Sequence, residues 1–480
     1  MEDPSLRQRL LEITVLSSFA VGQPLLWLVV DNPTFAVVHG LTGFQLIAFG
    51  IAVVALPALA LGLLASLLAV GPRPLSVWSH RLIVGVLLAA IVTPAINRAL
   101  GFDHWWALVA FALVSTLGIL AYTRLATLRT LIRYAVIAPL LLPVLFSFSG
   151  PIRPLVRATP VDLPPISAAS APPVVWLVFD QLPLALLLDS EGEIAEDRFP
   201  NFARLRSLGT WYPKATSITP NTDTSMTATL TGLYPTPGAP SVTAQYPANA
   251  FTLLGGLYEV KSHERVTGLC PETICESVED RQPPRTRLFQ DSAIVVGRLL
   301  LPDGVADLFL PEVDSQWGEF GAAGSGGGSA PRVYREDRAE FLSFVEDLGS
   351  SDAPAFHYFH MEKPHEPLLM IPDGRIYDYC SCYYTEEGGR WPDDEVMLAQ
   401  RLQRYVMQTM YVDHELGLVL DRLERLGTLD ETLILVMSDH GASMIPGNVN
   451  RSVDPETADE VFSVPLFIKY PNQQSGTVDL

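Results

Sequence analysis

Two apolar runs of this sequence each end in side chains that can bind a metal ion. Residues 174–179 run directly into Asp180, and residues 432–437 are followed closely by Asp439 and His440. Short, continuous, branched apolar runs are typical of buried parallel strands. A carboxylate there often caps a turn or helix, but two strand-end acids with an adjacent histidine favour a metal site. Mixed oxygen and imidazole donors suit zinc or manganese better than calcium, so we predict one divalent ion.

A segment crowded with hydroxyl groups, residues 219–235, supplies a candidate nucleophile. A helix is predicted to begin near Thr222, and the free N–H groups and positive dipole end of a helix N-terminus favour a phosphate or sulfate. Ordinary capping by threonine is the alternative. A free threonine alcohol is a poor nucleophile at neutral pH, and coordination to a divalent cation favours its alkoxide.

Three histidines and a lysine lie close together in residues 357–367, after a strand predicted at 355–359. One histidine in such a place is often structural. Three within nine positions of a predicted loop favour an anion site or a general acid. The residues are His357, His360, Lys363 and His365.

The cysteines and the net charge restrict the compartment and the partners. Cys270 and Cys275 bracket four residues, and the sequence favours a disulfide formed in an oxidising compartment over a zinc site, which lacks histidines at finger-like spacing. Cys380 and Cys382 have no assigned role. The formal net charge of -20 excludes a nucleic-acid partner, which would need a basic face.

The first of three predicted regions, residues 1–150, is a bundle of about five membrane helices. Each apolar run is close to the ~20 residues that a membrane helix needs. The predicted spans are residues 13–30, 45–70, 82–99, 106–125 and 131–148. The membrane bilayer is therefore a predicted partner of the chain.

Arginine placement predicts the orientation of these spans. Arginines precede the first span and cluster in the second and fourth loops, whereas residues 31–43 hold no Lys or Arg. Because positive loops stay in the cytoplasm, we expect a cytoplasmic N-terminus and, after an odd number of spans, an extracytoplasmic catalytic domain. His39 and His104 then fall in outer loops, as surface residues or substrate contacts.

The other two regions are a linker and a soluble domain. Residues 151–173, rich in Pro, Ala and Ser, are expected to lift the next domain off the bilayer. Residues 174–480 alternate strand-like and helix-like segments, including helices predicted at 199–208 and 398–426. This alternation predicts an α/β sandwich with a mainly parallel sheet, in which ligands gather beyond the carboxyl ends of the strands. A glycine-rich stretch, residues 321–329, is expected to be a surface loop.

Three motifs in the soluble region resemble the sulfatase and alkaline phosphatase superfamily. They are Phe-Pro-Asn-Phe-Ala-Arg-Leu from Phe199, Leu-Thr-Gly-Leu-Tyr-Pro from Leu230 and Ser-Asp-His-Gly from Ser438. More narrowly, the chain resembles the membrane-bound branch with phosphoethanolamine transferases and lipoteichoic acid synthases. The resemblance covers residues 174 to about 471 and implies an alkaline phosphatase-like fold. The family usually continues beyond Leu480, so the catalytic domain is expected to be incomplete at its C-terminus.

The resemblance also implies roles for single residues. Thr222 takes the nucleophile position and joins the two aspartates and His440 around one metal. His365 matches a substrate-binding histidine, with His360 and Lys363 as further substrate contacts. Gln181 stands where sulfatases have a second Asp. The arginine that supports a sulfatase nucleophile is likewise replaced, by Met226, and a threonine cannot become formylglycine, so phosphate esters are favoured over sulfate esters.

These observations lead to three hypotheses. The first is a membrane-anchored, metal-dependent hydrolase or transferase in which Thr222 attacks a phosphate ester of a phospholipid or a cell-envelope glycan, with His365 assisting the leaving group. The second is a sulfuric ester hydrolase, a sulfatase that never transfers its anion to a glycan. The third is a non-catalytic envelope binding protein, for which Gln181 and Met226 are the signals.

Overall fold

A computed structural model describes most of the chain. The described residues are 4–101, 104–157, 163–164, 166–167, 171–271, 273–275, 285–301, 303–306, 309–310, 313, 330–351, 353–377 and 390–479. The predicted glycine-rich loop at 321–329, Cys380, Cys382 and Leu480 lie outside these residues.

The first region is helical, and its apolar segments confirm the predicted count of five. The segments long and apolar enough to cross a membrane are Leu6–Asp31, Gly43–Ala69, Arg73–Asn97, Trp105–Arg124 and Ala126–Phe148. The helices are α1 (Leu6–Ser17), α2 (Gln23–Asp31), α3 (Thr34–Val38), α4 (Gly43–Ala69), α5 (Arg73–Leu100), α6 (His104–Arg124), α7 (Ala126–Tyr134), α8 (Ala138–Phe148) and α9 (Arg153–Val156). A π-helical turn, Ser18–Gly22, joins α1 to α2, and a 3₁₀ turn, Ala135–Ile137, joins α7 to α8.

A buried polar cluster ties four helices of this bundle together. Glu12 of α1 is 1% exposed. Its Oε2 lies 3.1 Å from His80 Nε2 and accepts a hydrogen bond from the Tyr122 hydroxyl, and its Oε1 lies 3.2 Å from Arg133 Nε. A carboxylate inside an apolar bundle is costly unless it is paired. The partners on α5, α6 and α7 meet that requirement and fix how the helices pack.

The second region is built on one mixed sheet whose centre is parallel. The described strands are β1 (Val174–Asp180), β2 (Thr210–Trp211), β3 (Glu259–His263), β4 (Ala355–Pro364), β5 (Leu433–Ser438), β6 (Leu466–Lys469) and β7 (Thr477–Val478). Their order is β3-β4-β1-β5-β6-β2-β7, and β3, β4, β1 and β5 run parallel. This arrangement confirms the predicted α/β sandwich with a mainly parallel sheet.

The helices of the second region are α10 (Leu184–Leu187), α11 (Pro200–Leu208), α12 (Thr222–Thr231), α13 (Ala250–Leu254), α14 (Arg285–Leu300), α15 (Asp303–Ala306), α16 (Ala330–Asp347), α17 (Glu395–Leu426) and α18 (Ala458–Phe462). Both faces of the sheet are covered by helices, whereas α14 and α15 contact helices of the bundle. Leu177 of β1 belongs to the core under α11, α16 and α17, whereas Val178 belongs to the core under α12 and α13. The strand is apolar on both sides because both sides are buried.

In the soluble domain, two predicted boundaries differ from the structure by three residues or more. Helix α17 begins at Glu395, three residues before the predicted start, because the Asp394 side chain accepts hydrogen bonds from the amides of Val396 and Met397 and caps it. Strand β4 continues to Pro364 instead of ending at Phe359. The histidine segment is therefore mostly strand, and of its three histidines only His365 follows the strand.

The two regions contact each other directly, where the sequence led us to expect a linker that holds them apart. Helix α3, in the loop between the first two apolar segments, joins a hydrophobic cluster shared with the soluble domain. Members from the two sides include Phe35, Ala36 and Leu41, and Val242, Ile294 and Val295. This loop is apolar and short, and packing on α14 removes its apolar side chains from water. His39 is likewise buried, not a surface residue.

Candidate active site

The sheet brings the predicted ligands to one edge. β1 lies between β4 and β5, and Phe179 is aligned with Ser438 of β5. The side chains that follow each strand therefore meet at the carboxyl ends, as in other parallel sheets. Asp180 ends β1, Asp439 and His440 follow β5, and His365 follows β4.

Asp180, Asp439 and His440 form a compact buried group, with ligand atoms all within 4.8 Å of one another. His440 Nε2 lies 3.6 Å from Asp180 Oδ1 and 3.5 Å from Asp439 Oδ2. The hydroxyl of Thr222 joins them, 3.3 Å from His440 Nε2 and 3.5 Å from Asp180 Oδ1. Four residues from three separate stretches of the chain thus converge.

The unsatisfied atoms of this group fit a divalent cation. Asp439 Oδ1 accepts hydrogen bonds from the amides of Gln181 and His440, but the buried Oδ2 has no hydrogen-bond partner. His440 Nδ1 donates to the Gly441 carbonyl, which leaves a lone pair on Nε2. A buried carboxylate oxygen without a donor is costly, and a histidine fixed by its second nitrogen is the usual state of a metal ligand.

Burial favours the protonated form of Asp439, which does not bind metal, and the neutral form of His440, which does. Burial, reinforced by the charge of Asp180, raises the pKa of Asp439 to about 7. Burial and the nearby Arg451 lower the pKa of His440 to about 3, so its imidazole is neutral. A cation would favour the ionised carboxylates and the neutral imidazole at once.

Thr222 stands at the start of a helix, as the sequence predicts. Helix α12 begins at Thr222 after the N-cap residue Asn221 and ends at Gly232, whose φ of 69° is the left-handed conformation of a C-terminal cap. The Ser225 hydroxyl donates to the Asp439 carbonyl. This bond links the first turn of α12 to the segment that follows β5. It therefore fixes the Thr222 hydroxyl relative to the carboxylate of Asp439.

Arg451 is a site residue that the sequence analysis missed. Its Nη2 lies 2.9 Å from His365 Nε2, and His365 Nδ1 donates to the Glu366 carbonyl at 2.8 Å. Burial lowers the pKa of His365, and the neutral ring then accepts from the guanidinium. Arg451 is the first cation after the Ser-Asp-His-Gly motif, and a search for a positive charge downstream of that motif would have found it.

Glu264 is a second site residue that the sequence analysis missed, and it sets the charge of His360. Glu264 Oε2 lies 3.2 Å from His360 Nδ1 and accepts from the Tyr358 hydroxyl, while Oε1 accepts from the amides of Val266 and Thr267. Burial alone would lower the pKa of His360, but Glu264 raises it to about 9. His360 Nε2 is buried without a hydrogen-bond partner. The ring is thus a fixed cation with one free donor.

The structure places Lys363 and His357 away from these contacts. Lys363 Nζ lies 4.0 Å above the ring of Tyr334 and 3.9 Å from Asp337 Oδ2, next to helix α16. His357 packs against Phe344, and burial lowers its pKa to about 4. Lys363 as a substrate contact stays a prediction.

The predicted disulfide is present. Cys270 and Cys275 are joined, with Cα atoms 6.0 Å apart.

A further buried acid, Asp413 on α17, has a structural role. It accepts hydrogen bonds from the amides of Asn201 and Phe202 and so caps helix α11. Its carboxylate lies at a helix start, a common place for an acid.

Comparison with known proteins agrees with this geometry. Residues 281–479 match the sulfatase family model. The C-terminal part of the soluble domain is therefore similar to sulfatases, and this match includes Asp439, His440, His365 and Arg451. Superfamily members bind a divalent metal, and the group of Asp180, Asp439 and His440 could hold one.

The matches to individual relatives of this sulfatase-like domain cover only part of each relative's length. The chain is 27% identical over 172 residues to an ulvan-active sulfatase of Formosa agariphila, covering 35% of this chain and 30% of the relative. It is 23% identical over 158 residues to an endo-4-O-sulfatase of Bacteroides thetaiotaomicron, covering 30% and 29%. The chain therefore spans about a third or less of these relatives.

Solved structures with a related domain include two phosphonate monoester hydrolases. The enzyme of Agrobacterium radiobacter shares 17% identity at a TM-score of 0.39, covering 64% of this chain and 70% of that chain. The enzyme of Silicibacter pomeroyi shares 18% identity at a TM-score of 0.41, covering 64% and 69%.

Proposed function

We propose that this protein is a membrane-anchored, metal-dependent hydrolase or transferase of phosphate or sulfate esters, with Thr222 as its nucleophile. One observation carries the proposal: the Thr222 hydroxyl lies 3.3 Å from His440 Nε2 and 3.5 Å from Asp180 Oδ1, at the first turn of a helix. A nucleophile, its metal ligands and a helix N-terminus are the parts that ester transfer to a protein hydroxyl needs.

The metal would be held by Asp180, Asp439 and His440, with the Thr222 oxygen beside them, and zinc or manganese suits this donor set better than calcium. When bound, the ion favours the alkoxide of the threonine and offsets the negative charge of the ester. Gln181 supports the ligands through its backbone, since its amide donates to Asp439 Oδ1 at 2.9 Å. Its φ of 60° lies in the left-handed region that residues other than glycine rarely adopt, as is common at functional sites.

The chain's own residues then divide the work of the transfer. Thr222 Oγ1 forms a bond to phosphorus or sulfur while the bond to the leaving alcohol breaks. Arg451 and the protonated His360 would bind the negative oxygens, and His365, which accepts from Arg451, would assist the leaving group. Water, or a hydroxyl of an acceptor glycan, would release the ester from Thr222 and regenerate the hydroxyl.

The choice between phosphate and sulfate rests on opposite observations. Met226 is fully buried in the apolar cluster beneath α12, where sulfatases place an arginine, and an unmodified threonine suits phosphate esters. The matched relatives are named sulfatases, which supports a sulfuric ester hydrolase as the second candidate. We favour phosphate, because the replaced arginine and the threonine lie in the site itself.

The membrane region and the disulfide support a catalytic domain that lies on the outer side of the cytoplasmic membrane. We propose a multi-pass protein with a cytoplasmic N-terminus, a bundle at residues 1–150, a connection at 151–173 and an extracytoplasmic catalytic domain from 174 onward. The Cys270–Cys275 disulfide fits an oxidising compartment. Asp31 ends the first span, and Thr34, three residues later, contacts the nucleophile helix. This proximity favours a phospholipid or envelope glycan as substrate.

A direct test uses the purified full chain in detergent with zinc or manganese. Bis(p-nitrophenyl) phosphate and p-nitrophenyl sulfate are assayed side by side, and products are analysed after addition of phospholipid vesicles and an envelope glycan. Release of nitrophenol from the phosphate diester supports the proposal, and release from the sulfate alone supports the sulfatase. No turnover of either probe, together with no bound metal, would favour the non-catalytic envelope binding protein.

Glu264→Gln should shift the pH dependence of the reaction. The wild-type His360 stays protonated up to a pKa of about 9 because Glu264 offsets burial, and without that charge its pKa falls toward or below the ordinary 6.5. The raised value keeps the cation present below pH 9, so its loss removes activity from the alkaline side. We expect the alkaline limb of kcat/KM to move down by about two pH units.

Glu259→Gln is the matched control for this variant, because Glu259 is an exposed glutamate at the start of the neighbouring strand β3. Its pH profile should match the wild type. An unshifted alkaline limb in Glu264→Gln would show that His360 is not a required cation.

A further inference from the structure

A hydrogen bond joins the membrane bundle to the helix that carries the proposed nucleophile. Thr34 Oγ1 donates to Asp223 Oδ2 at 3.0 Å. Thr34 opens α3, in the loop between the first two apolar segments, and Asp223 directly follows Thr222 in the first turn of α12. Thr34 is 3% exposed, so water competes little for this bond.

The other end of α3 is tied to a different helix of the soluble domain. His39, which directly follows α3, has Nδ1 2.8 Å from the Phe35 carbonyl and Nε2 2.9 Å from Asp291 Oδ2 on α14. Both His39 and Asp291 are buried. A five-residue helix is about 7.5 Å long, so α3 forms a short bridge between α12 and α14.

Apolar packing holds this bridge in place. Phe35 and Ala36 of α3 belong to one hydrophobic cluster with Ile294 and Val295 of α14. A rigid, packed bridge can fix the position of a neighbouring turn, whereas a mobile loop could not. The Asp223 carboxylate also accepts from the Thr224 amide at 2.8 Å, so its orientation is set from both sides.

We propose that α3 is a positioning element for catalysis, in which Thr34 holds Asp223 and thereby fixes the first turn of α12 that presents Thr222. The bundle is then part of the catalytic machinery as well as an anchor. Thr34 and Asp223 are positioning residues, because neither touches the proposed ligand group of Asp180, Asp439 and His440. The catalytic meaning of this element rests on the proposed function, whereas the coupling between α3 and α12 does not.

The test measures hydrogen exchange of the full chain in detergent by mass spectrometry. Thr34→Val keeps the side-chain shape and removes the donor, and we expect amides of the first turns of α12 to exchange about tenfold faster. Thr34→Ser keeps the donor and should restore the wild-type rate. Thr14→Val is the matched control, since the Thr14 hydroxyl bonds only within its own helix, to the Leu10 carbonyl.

A double-mutant cycle with Asp223→Ala assigns the effect to the pair, because alanine has no oxygen to accept from Thr34. If Thr34 acts through Asp223, adding Thr34→Val to Asp223→Ala should change α12 exchange little beyond the single Asp223→Ala variant. Full additivity of the two changes, or unaltered exchange in Thr34→Val, would overturn the proposal. The Asp223 variant also tests the coupling by itself if Thr34→Val folds poorly, because it removes the same hydrogen bond from the other side.

Turnover separates this inference from the proposed function. With bis(p-nitrophenyl) phosphate, Thr34→Val should lower kcat about tenfold at unchanged KM, because Thr34 orients the nucleophile and does not bind substrate. If the wild type turns over neither probe, the proposed function fails while the exchange result still decides the coupling. Faster exchange without a change in kcat would leave α3 structural and refute its catalytic role.

Discussion

Thr222→Ala should reduce turnover by roughly 10⁴-fold or more, because the alanine has no oxygen to form the covalent ester. Thr222 is 2% exposed and its hydroxyl already faces His440 and Asp180. The measurement is the steady-state rate of nitrophenol release from the phosphate diester, at saturating metal, for wild type and variant. Thr222→Ser retains a hydroxyl and should recover part of the rate.

The control for this substitution lies on the same helix. Thr231, at the other end of α12, donates to the Thr227 carbonyl within the helix, and Thr231→Ala should keep near wild-type turnover. Metal content should fall only modestly in Thr222→Ala, since three stronger ligands remain. Trapping of a phosphorylated threonine in wild type, identified by mass spectrometry, would give independent support. Full activity in Thr222→Ala would refute the mechanism.

Asp439→Asn should remove both metal and activity. Asp439 Oδ2 is the buried oxygen without a hydrogen-bond partner, so the amide replaces a charged ligand atom with a neutral one at nearly the same volume. Loss of residues that merely orient ligands costs about 10–100-fold in metal affinity, and loss of a ligand charge should cost at least that. The measurement is metal per chain by elemental analysis after dialysis against a fixed low concentration of zinc.

Asp421→Asn is the matched control, because Asp421 is an exposed aspartate on α17 paired with Arg204. It should bind about one metal ion per chain, like the wild type. Equal metal content in Asp439→Asn and wild type would exclude this group as the metal site. No metal in the wild type, even after incubation with zinc and manganese, would favour the binding-protein hypothesis over both enzymes.

Local sequence patterns were enough to predict the fold class and the metal group. A buried parallel strand needs a continuous apolar run, and the carboxyl end of such a strand is where a ligand side chain becomes accessible. Asp180, Asp439 and His440 each lie within two residues of such an end. The five segments that are long and apolar enough to cross a membrane could also be predicted, because an apolar helix of ~20 residues has a local sequence signature.

Contacts between distant segments were not readable from any window of sequence. Arg451 meets His365 across 86 positions, and Glu264 meets His360 across 96 positions. The sequence also did not show on which side Lys363 lies. Lys363 belongs to β4, and side chains along a strand alternate between its two sides. The segment was predicted to be a loop, and a loop has no such alternation.

The sequence by itself therefore predicted a helical bundle joined to a sulfatase-like domain, a candidate nucleophile and three candidate metal ligands. These predictions follow from residue types at short spacing and, for the nucleophile, from the family resemblance. Only the tertiary structure decided that the domain packs on the bundle instead of standing off it, and that Thr34 lies against Asp223, 189 positions away. Such contacts depend on which surfaces bury each other when the whole chain folds, and no local spacing records that choice.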